Sequence, residues 1–272
     1  HIFCVPGESY LAVLDALHDA PIELTVCRQE GGAAMMAEAH GKLTGRPGVC
    51  FVTRGPGATN AAAGVHIAMQ DSTPLVLFVG QIERGARGRE AFQEVDYRAA
   101  FGPLAKWATE VDDARRLPEI VARAFSVACS GRPGPVVVAL PEDMLVERTE
   151  VSDARALQPI ATAPAPAQMA RVLELLRQAK RPMAIVGGSR WDAEAVDRFQ
   201  NFAASHALPV ACSFRRQMLF DHQHPCYAGD LGLGVNPSLL ARIRAADLLL
   251  LVGGRLSEVP SQGYTLLDIP TP

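Results

Sequence analysis

Three stretches in the first hundred residues carry side chains whose types and spacing could do chemistry. In Cys27-Arg28-Gln29-Glu30-Gly31-Gly32-Ala33-Ala34, a carboxyl stands where an apolar run ends and a helical composition begins. Open α/β sheets bind ligands at that edge, and a carboxyl there can share a proton with a ligand. Taken alone, Glu30 reads as a first-turn partner of the helix dipole, and Glu38, two turns on, as structural. The second stretch, Arg54-Gly55-Pro56-Gly57-Ala58-Thr59-Asn60, also follows an apolar run and opens a helix. Glycines flanking a proline let the backbone turn tightly and approach a ligand, and the new helix offers a polar, partly positive end. The same residues describe a plain strand–turn–helix junction. Gly-Lys-Ser/Thr and GxGxxG are both missing, which excludes a P-loop and a dinucleotide fingerprint. The third stretch, Glu90-Ala91-Phe92-Gln93-Glu94-Val95-Asp96, lies near Arg84, Arg87 and Arg89. It reads either as a binding loop or as a solvated charged loop.

Other signals carry less. His222-Gln223-His224-Pro225-Cys226 has metal-like residue types, but no second cluster completes a ligand set, so a surface loop is expected and no metal ligand is assigned. His40 and His66 read as packed or capping residues, and no GxSxG elbow supports a serine hydrolase. The six cysteines include no CxxC pair. Cys4, Cys27 and Cys50 recur at even spacing beside apolar runs and are expected as buried thiols of adjacent strands, which suits a reducing cytoplasm. A net charge of −3 argues against general nucleic-acid or anionic-membrane binding, and no apolar run reaches the ~18 residues of a membrane span.

These groups need a scaffold. At ~150 residues per domain, 272 residues suggest two domains. Apolar runs at 2–5, 22–27, 49–53, 75–79 and 136–140 alternate with helical segments at 9–19, 31–44, 57–70 and 115–130. That alternation predicts parallel βαβ units, and the near-continuous apolar runs suit strands covered on both faces. The fold class expected is α/β: doubly wound parallel sheets with helices on both faces, in two consecutive domains. Residues 148–167 are proline-punctuated and lack aromatics, which predicts a linker between a domain at 1–147 and a second at 168–272. In the second domain, helices are expected at 169–180, 193–205 and 237–246, and strands at 183–186, 208–212 and 248–252. The chain opens on His1 directly into a strand, and both ends read as cut.

Placed in order, Val5-Pro6-Gly7, Glu30-Gly31-Gly32-Ala33-Ala34, Gly55-Pro56-Gly57-Ala58-Thr59-Asn60, Gln70-Asp71-Ser72-Thr73-Pro74, Gly80-Gln81, Ala91-Phe92-Gln93-Glu94 and Ser130-Gly131-Arg132-Pro133-Gly134-Pro135-Val136 form a known set. They resemble the pyrimidine-binding domain of thiamine-diphosphate enzymes, most closely the acetolactate synthase (acetohydroxyacid synthase) catalytic subunit and its paralogues. The resemblance is dense over residues 1 to about 145 and weaker over 168–258, which look like the family's central domain.

The resemblance implies roles. Glu30 aligns with the glutamate that hydrogen-bonds N1′ of the cofactor's aminopyrimidine and so promotes proton loss from thiazolium C2. A 2-ketoacid, pyruvate above all, would then lose carbon dioxide and be joined to a second ketoacid. Thr53, Gly55, Pro56, Gly57 and Asn60 match positions that line or shape the pyrimidine pocket. Phe92 and Gln93 match a loop reaching the thiazolium and substrate in a partner's site, and Pro6-Gly7 a turn near the substrate. A homodimer or homotetramer with shared sites follows; a regulatory subunit is left undetermined. Mg²⁺ and the diphosphate belong, in the family, to a C-terminal domain expected to be missing here, which would leave this piece inactive alone. Gly253-Gly254-Arg255 resembles the segment where synthases hold FAD, but Leu256-Ser257-Glu258-Val259-Pro260 departs from that pattern, so FAD and a salt-bridged arginine both stay open. Glu83 and Gly85 stand where branched-chain synthases often carry Pro and Arg, and Arg54 replaces a small polar residue. Those departures keep another thiamine-diphosphate decarboxylase, lyase or oxidase as an alternative, and the expected lack of the diphosphate half keeps a non-catalytic paralogue as another.

Overall fold

The computed structural model describes residues 1–156, 158 and 162–268. They form two compact units, one up to residue 161 and one from Thr162 onward. The first contains β1 (Ile2–Cys4), α1 (Leu11–His18), β2 (Leu24–Val26), α2 (Glu30–Thr44), β3 (Gly48–Val52), α3 (Pro56–Asp71), β4 (Leu75–Gln81), α4 (Tyr97–Phe101), β5 (Trp107–Glu110), α5 (Leu117–Cys129), β6 (Pro135–Pro141) and α6 (Glu142–Leu145). Its six strands pair in the order β2-β1-β3-β4-β6-β5, every pair parallel.

Side chains alternate across a strand, so each strand feeds two layers. Cys50, Val52, Leu77, Val79 and Val137 face α2, α3 and α4. Phe51, Val76, Phe78, Val136 and Val138 face α1 and α5. Burial of each such residue is worth roughly 1.5–3 kcal/mol, which makes these two layers the main attraction in the unit. Helices α2 and α3 meet through alanines, and a Cβ added to Gly64 would lie 2.5 Å from that of Ala34. Cys4, Cys27 and Cys50 are free, buried thiols on or just after neighbouring strands, as their spacing suggests.

The second unit contains α7 (Pro166–Gln178), β7 (Pro182–Val186), α8 (Ala193–Ser205), β8 (Val210–Ser213), β9 (Tyr227–Leu231), α9 (Pro237–Ala245) and β10 (Leu248–Val252). Its sheet runs β10-β7-β8-β9, again wholly parallel. Ala203 and Phe199 of α8 pack on one face, and Leu239 and Ile243 of α9 on the other. Both units are therefore doubly wound α/β folds.

Four of these elements were not foreseen: α4, β5, α6 and β9. The expected helix at 9–19 is divided into a 3-10 turn at Glu8–Tyr10 and α1. Helix α7 begins at Pro166, inside the expected linker; residues 157 and 159–161 of that linker lie outside the described residues. Among the described residues, no helix is long and apolar enough to cross a membrane.

Candidate active site

In a parallel sheet every strand ends at one edge. The ends of β1 to β4 therefore deliver Pro6-Gly7, Glu30, Thr53–Asn60 and Gln81 to the same rim. The Gln70–Pro74 and Ser130–Val136 motifs sit at the opposite rim, where strands begin. There Arg132 Nε donates to Ser72 Oγ at 2.7 Å, Thr73 Oγ1 donates to Glu38 Oε1 at 2.8 Å, and Lys42 pairs with Asp71 at 2.7 Å. Glu38 is buried there, a structural residue as expected.

Glu30 is the first residue of α2, whose cap is Gln29: its Oε1 accepts the Gly32 N–H at 2.7 Å. Asn60, from the first turns of α3, donates through Nδ2 to Glu30 Oε2 at 3.0 Å. The other oxygen, Oε1, is turned toward Gly57: a Cβ on that glycine would lie 3.5 Å from it and 2.8 Å from Thr53 Cγ2. A side chain at 57 would thus fill the space beside the carboxyl.

Thr53 Oγ1 shares a 2.8 Å hydrogen bond with Ser9 Oγ, and its Cβ abuts Gly7, so the end of β3 is fastened to the turn after β1. Tyr10 donates to the Val5 carbonyl and fixes the approach to exposed Pro6. Gly55 adopts φ +59° and ψ −114°, a conformation suited to glycine. Its N–H donates to the Tyr97 hydroxyl at 2.8 Å, and its carbonyl accepts from the Thr59 N–H at 3.0 Å. Burial pushes the Tyr97 phenol up to about 12, against the lowering pull of the Gly55 N–H and Arg54.

Gln93, itself at φ +65°, packs directly on Gly55; a Cβ there would lie 2.6 Å from the Gln93 Cβ. Its loop is pinned rather than merely solvated. Gln81 Nε2 donates to the Val95 carbonyl at 2.9 Å. Arg84 reaches Asp143 through its backbone N–H (3.0 Å) and Nε (2.7 Å), while Arg87 pairs with Glu110 and Asp112. Burial works to raise Asp143, but the Arg84 hydrogen bonds hold it below the usual carboxylate range. Phe92 stands on this loop 75% exposed.

Arg54 turns to neither Glu30 nor the loop tip. Its guanidinium is buried between Glu142 (2.7 Å) and Glu8 (3.0 Å), with Nε lacking a hydrogen-bond partner. It ties the end of β3 to α6 and to the 3-10 turn.

The rim thus brings Glu30, Asn60, Gly57, Thr53 and Gly7 into one wall, with Gln93 on the far side of the Gly55 turn. Sequence reasoning missed Tyr97 and Ser9. A signal for Ser9 existed in Gly80, where a Cβ would collide with the Ser9 side chain. In the second unit, Gly187-Gly188 and Gly253-Gly254-Arg255 end the neighbouring strands β7 and β10, and Trp191 Nε1 donates to the Gly187 carbonyl at 2.8 Å. Among the described residues, no group of three or more His, Cys, Asp or Glu side chains could hold a metal ion.

Residues 1–100 match the N-terminal thiamine-pyrophosphate-binding domain of thiamine pyrophosphate enzymes, and residues 169–271 match the central domain of the same enzymes. The chain belongs to the thiamine pyrophosphate enzyme family. It is 36% identical over 258 residues to the acetolactate synthase isozyme 2 large subunit of Escherichia coli (strain K12), covering 94% of this chain and 47% of that protein. It is 37% identical over 269 residues to the acetolactate synthase large subunit of Parasynechococcus marenigrum (strain WH8102), covering 94% and 43%. Acetolactate synthase of Bacillus subtilis (strain 168) is 33% identical over 255 residues, covering 93% and 45%. The chain spans under half the length of these relatives.

Proposed function

We propose that this chain forms the pyrimidine-binding and central parts of a thiamine-diphosphate enzyme of acetolactate synthase type. That enzyme would decarboxylate a 2-ketoacid, pyruvate, and join the remainder to a second ketoacid. The observation that carries the reading is the Glu30 carboxylate at the strand-end rim, steadied by Asn60 through one oxygen and turned through the other toward Gly57, where no side chain stands. The donor set fits the aminopyrimidine: one carboxylate oxygen is engaged by Asn60 and the other, turned toward Gly57, accepts no side-chain hydrogen bond from it.

When bound, thiamine diphosphate supplies an electron sink for decarboxylation. Glu30 Oε1 would hold a proton against the pyrimidine N1′, a general acid–base task. Asn60 keeps that carboxylate from swinging away. Gly57 and Thr53 shape the wall, Pro56 starts α3 below it, and Pro6-Gly7 closes the side nearest β1. Phe92 and Gln93 are presented toward substrate, in a site completed by a second copy of the chain, as a homodimer or homotetramer. Mg²⁺ and the diphosphate are assigned to residues outside 1–272, and the location to the cytoplasm. Relatives named as large subunits support a small regulatory partner. FAD stays open, and the absorbance spectrum of the purified intact protein decides it.

Glu30→Gln in the intact protein tests the reading. Ketoacid turnover should fall ~100-fold or more, in line with the usual contribution of an acid–base group; unchanged turnover rejects it. Glu83 and Gly85, exposed on the pinned loop, favour a second reading in which the same site runs a decarboxylase, lyase or oxidase. Product analysis separates the two: acetolactate for the first, aldehyde or acetate for the second.

A further inference from the structure

We infer that Tyr97 is a positioning residue that makes the Gln93 loop and the Gly55-Pro56-Gly57 turn move as one piece, so that the loop's placement sets the shape of the pocket wall beside Glu30. The inference rests on the cofactor reading above and extends it to a residue outside the motifs.

Three contacts converge on Gly55. Its buried N–H donates to the Tyr97 hydroxyl, a residue 42 positions further along the chain. Its open α-carbon face receives Gln93, two residues before the Val95 carbonyl that Gln81 grips. Its carbonyl holds the first turn of α3, from which Asn60 reaches Glu30. Tyr97 is itself firmly packed: it is fully buried among the apolar side chains facing α2 and α3, and it begins α4, whose cap is the Asp96 carboxylate on the Arg98 and Ala99 N–H groups. The loop therefore leaves β4 under the hold of Gln81, touches Gly55 through Gln93, and returns to Gly55 through Tyr97. A buried N–H without an acceptor is expensive. The turn can keep its conformation without that cost only while Tyr97 is seated. The ring packs in the core, but the hydroxyl oxygen has a second use, and that use is the one inferred here.

Tyr97→Phe in the intact protein separates the two, because it keeps the ring and removes the acceptor. Hydrogen exchange of the peptide spanning Arg54–Asn60, without cofactor, should show the Gly55 amide exchanging roughly tenfold faster while α5 and β6 stay unchanged. Calorimetry with thiamine diphosphate and Mg²⁺ should show roughly tenfold weaker binding, with the KM for the ketoacid unaltered at saturating cofactor. Combined with Gln93→Ala, the loss should be smaller than the product of the single losses, since both act through Gly55. Exchange at Gly55 indistinguishable from the parent overturns the inference, as does a uniform rise across the unit, which marks a merely structural ring. Asp96→Ala, an exposed change that loosens the start of α4, serves if Tyr97→Phe folds poorly. It should speed the same amide in the same direction, and silence there also overturns the inference. If the parent protein takes up no thiamine diphosphate while Tyr97→Phe still frees Gly55, the hold on the turn stands and the cofactor reading falls.

Discussion

At the scale of single residues, the site depends on what is absent as much as on what is present. Gly57→Ala would put a methyl 2.8 Å from Thr53 Cγ2, on the Glu30 side. Overpacking of this kind costs about 1–3 kcal/mol, so the expected outcome is a lower thermal midpoint together with lost thiamine-diphosphate binding by calorimetry. Asn60→Ala leaves Glu30 in place but frees its Oε2. Turnover should fall about tenfold, less than for Glu30→Gln, and steady-state kinetics on both variants order the two. The places of Glu30 and the Gly55–Asn60 turn at strand ends were legible in the sequence because glycine, proline and a carboxyl there have local consequences, whereas their role at a cofactor is implied by the family resemblance alone. Tyr97 was not, because nothing near position 97 tells that a phenol will meet a backbone N–H donated from 42 residues earlier. Arg54 stands out in the sequence only as a departure from a small polar residue; its distant partner Glu142 makes it a staple of the scaffold.

At the scale of elements, the loop between β4 and α4 keeps its shape by ion pairs and backbone capping rather than by a core. Arg84→Ala removes the guanidinium bonds to Asp143 and to the Asp112 carbonyl and leaves only the backbone N–H on Asp143. The loop should then become cleavable by a trypsin-like protease at Arg87 or Arg89 under conditions where the parent resists, and limited proteolysis reads this directly. In the second unit, Gly188 sits at φ +70° with the Gly253 carbonyl occupying the place of a side chain. Gly188→Ala should destabilise by about 2 kcal/mol or more, visible as a lowered urea midpoint. The long apolar strands β4 and β6 and the alanine-rich α2 and α3 were readable because period and composition agree over many residues. Strands β5 and β9 were not: Trp107-Ala108-Thr109-Glu110 and Tyr227-Ala228-Gly229-Asp230-Leu231 are short, half-buried edge strands with no apolar run to announce them. Their place is set by the neighbour already in the sheet.

For the whole molecule, the buried acids whose protons are held more tightly than usual are thiols and phenols, and that fixes the sign of its alkaline response. Burial pushes Cys212 from 9.0 up to about 12 and Tyr97 from 10.0 up to about 12, and raises Cys50 and Tyr10 further still. An unfolded chain would release these protons at about 8.5 for Cys and 10 for Tyr. Below that range both states hold them and stability is flat; above it the unfolded chain binds fewer protons, so stability falls as pH climbs toward 12. Urea midpoints measured from neutral pH upward should be level and then decline from about pH 9, and a midpoint that rises there contradicts the assignment. The all-parallel connectivity of both sheets has a consequence in time rather than in energy. No two paired strands are joined by a tight turn; β1 must wait for β3, more than forty residues later, before both its edges are satisfied. Contacts of such long sequence separation are slow to form. A nascent chain therefore carries apolar strands such as Leu75–Gln81 with one edge unpaired until β6 emerges, and its yield on refolding should depend on protein concentration and chaperones far more than its final stability would suggest.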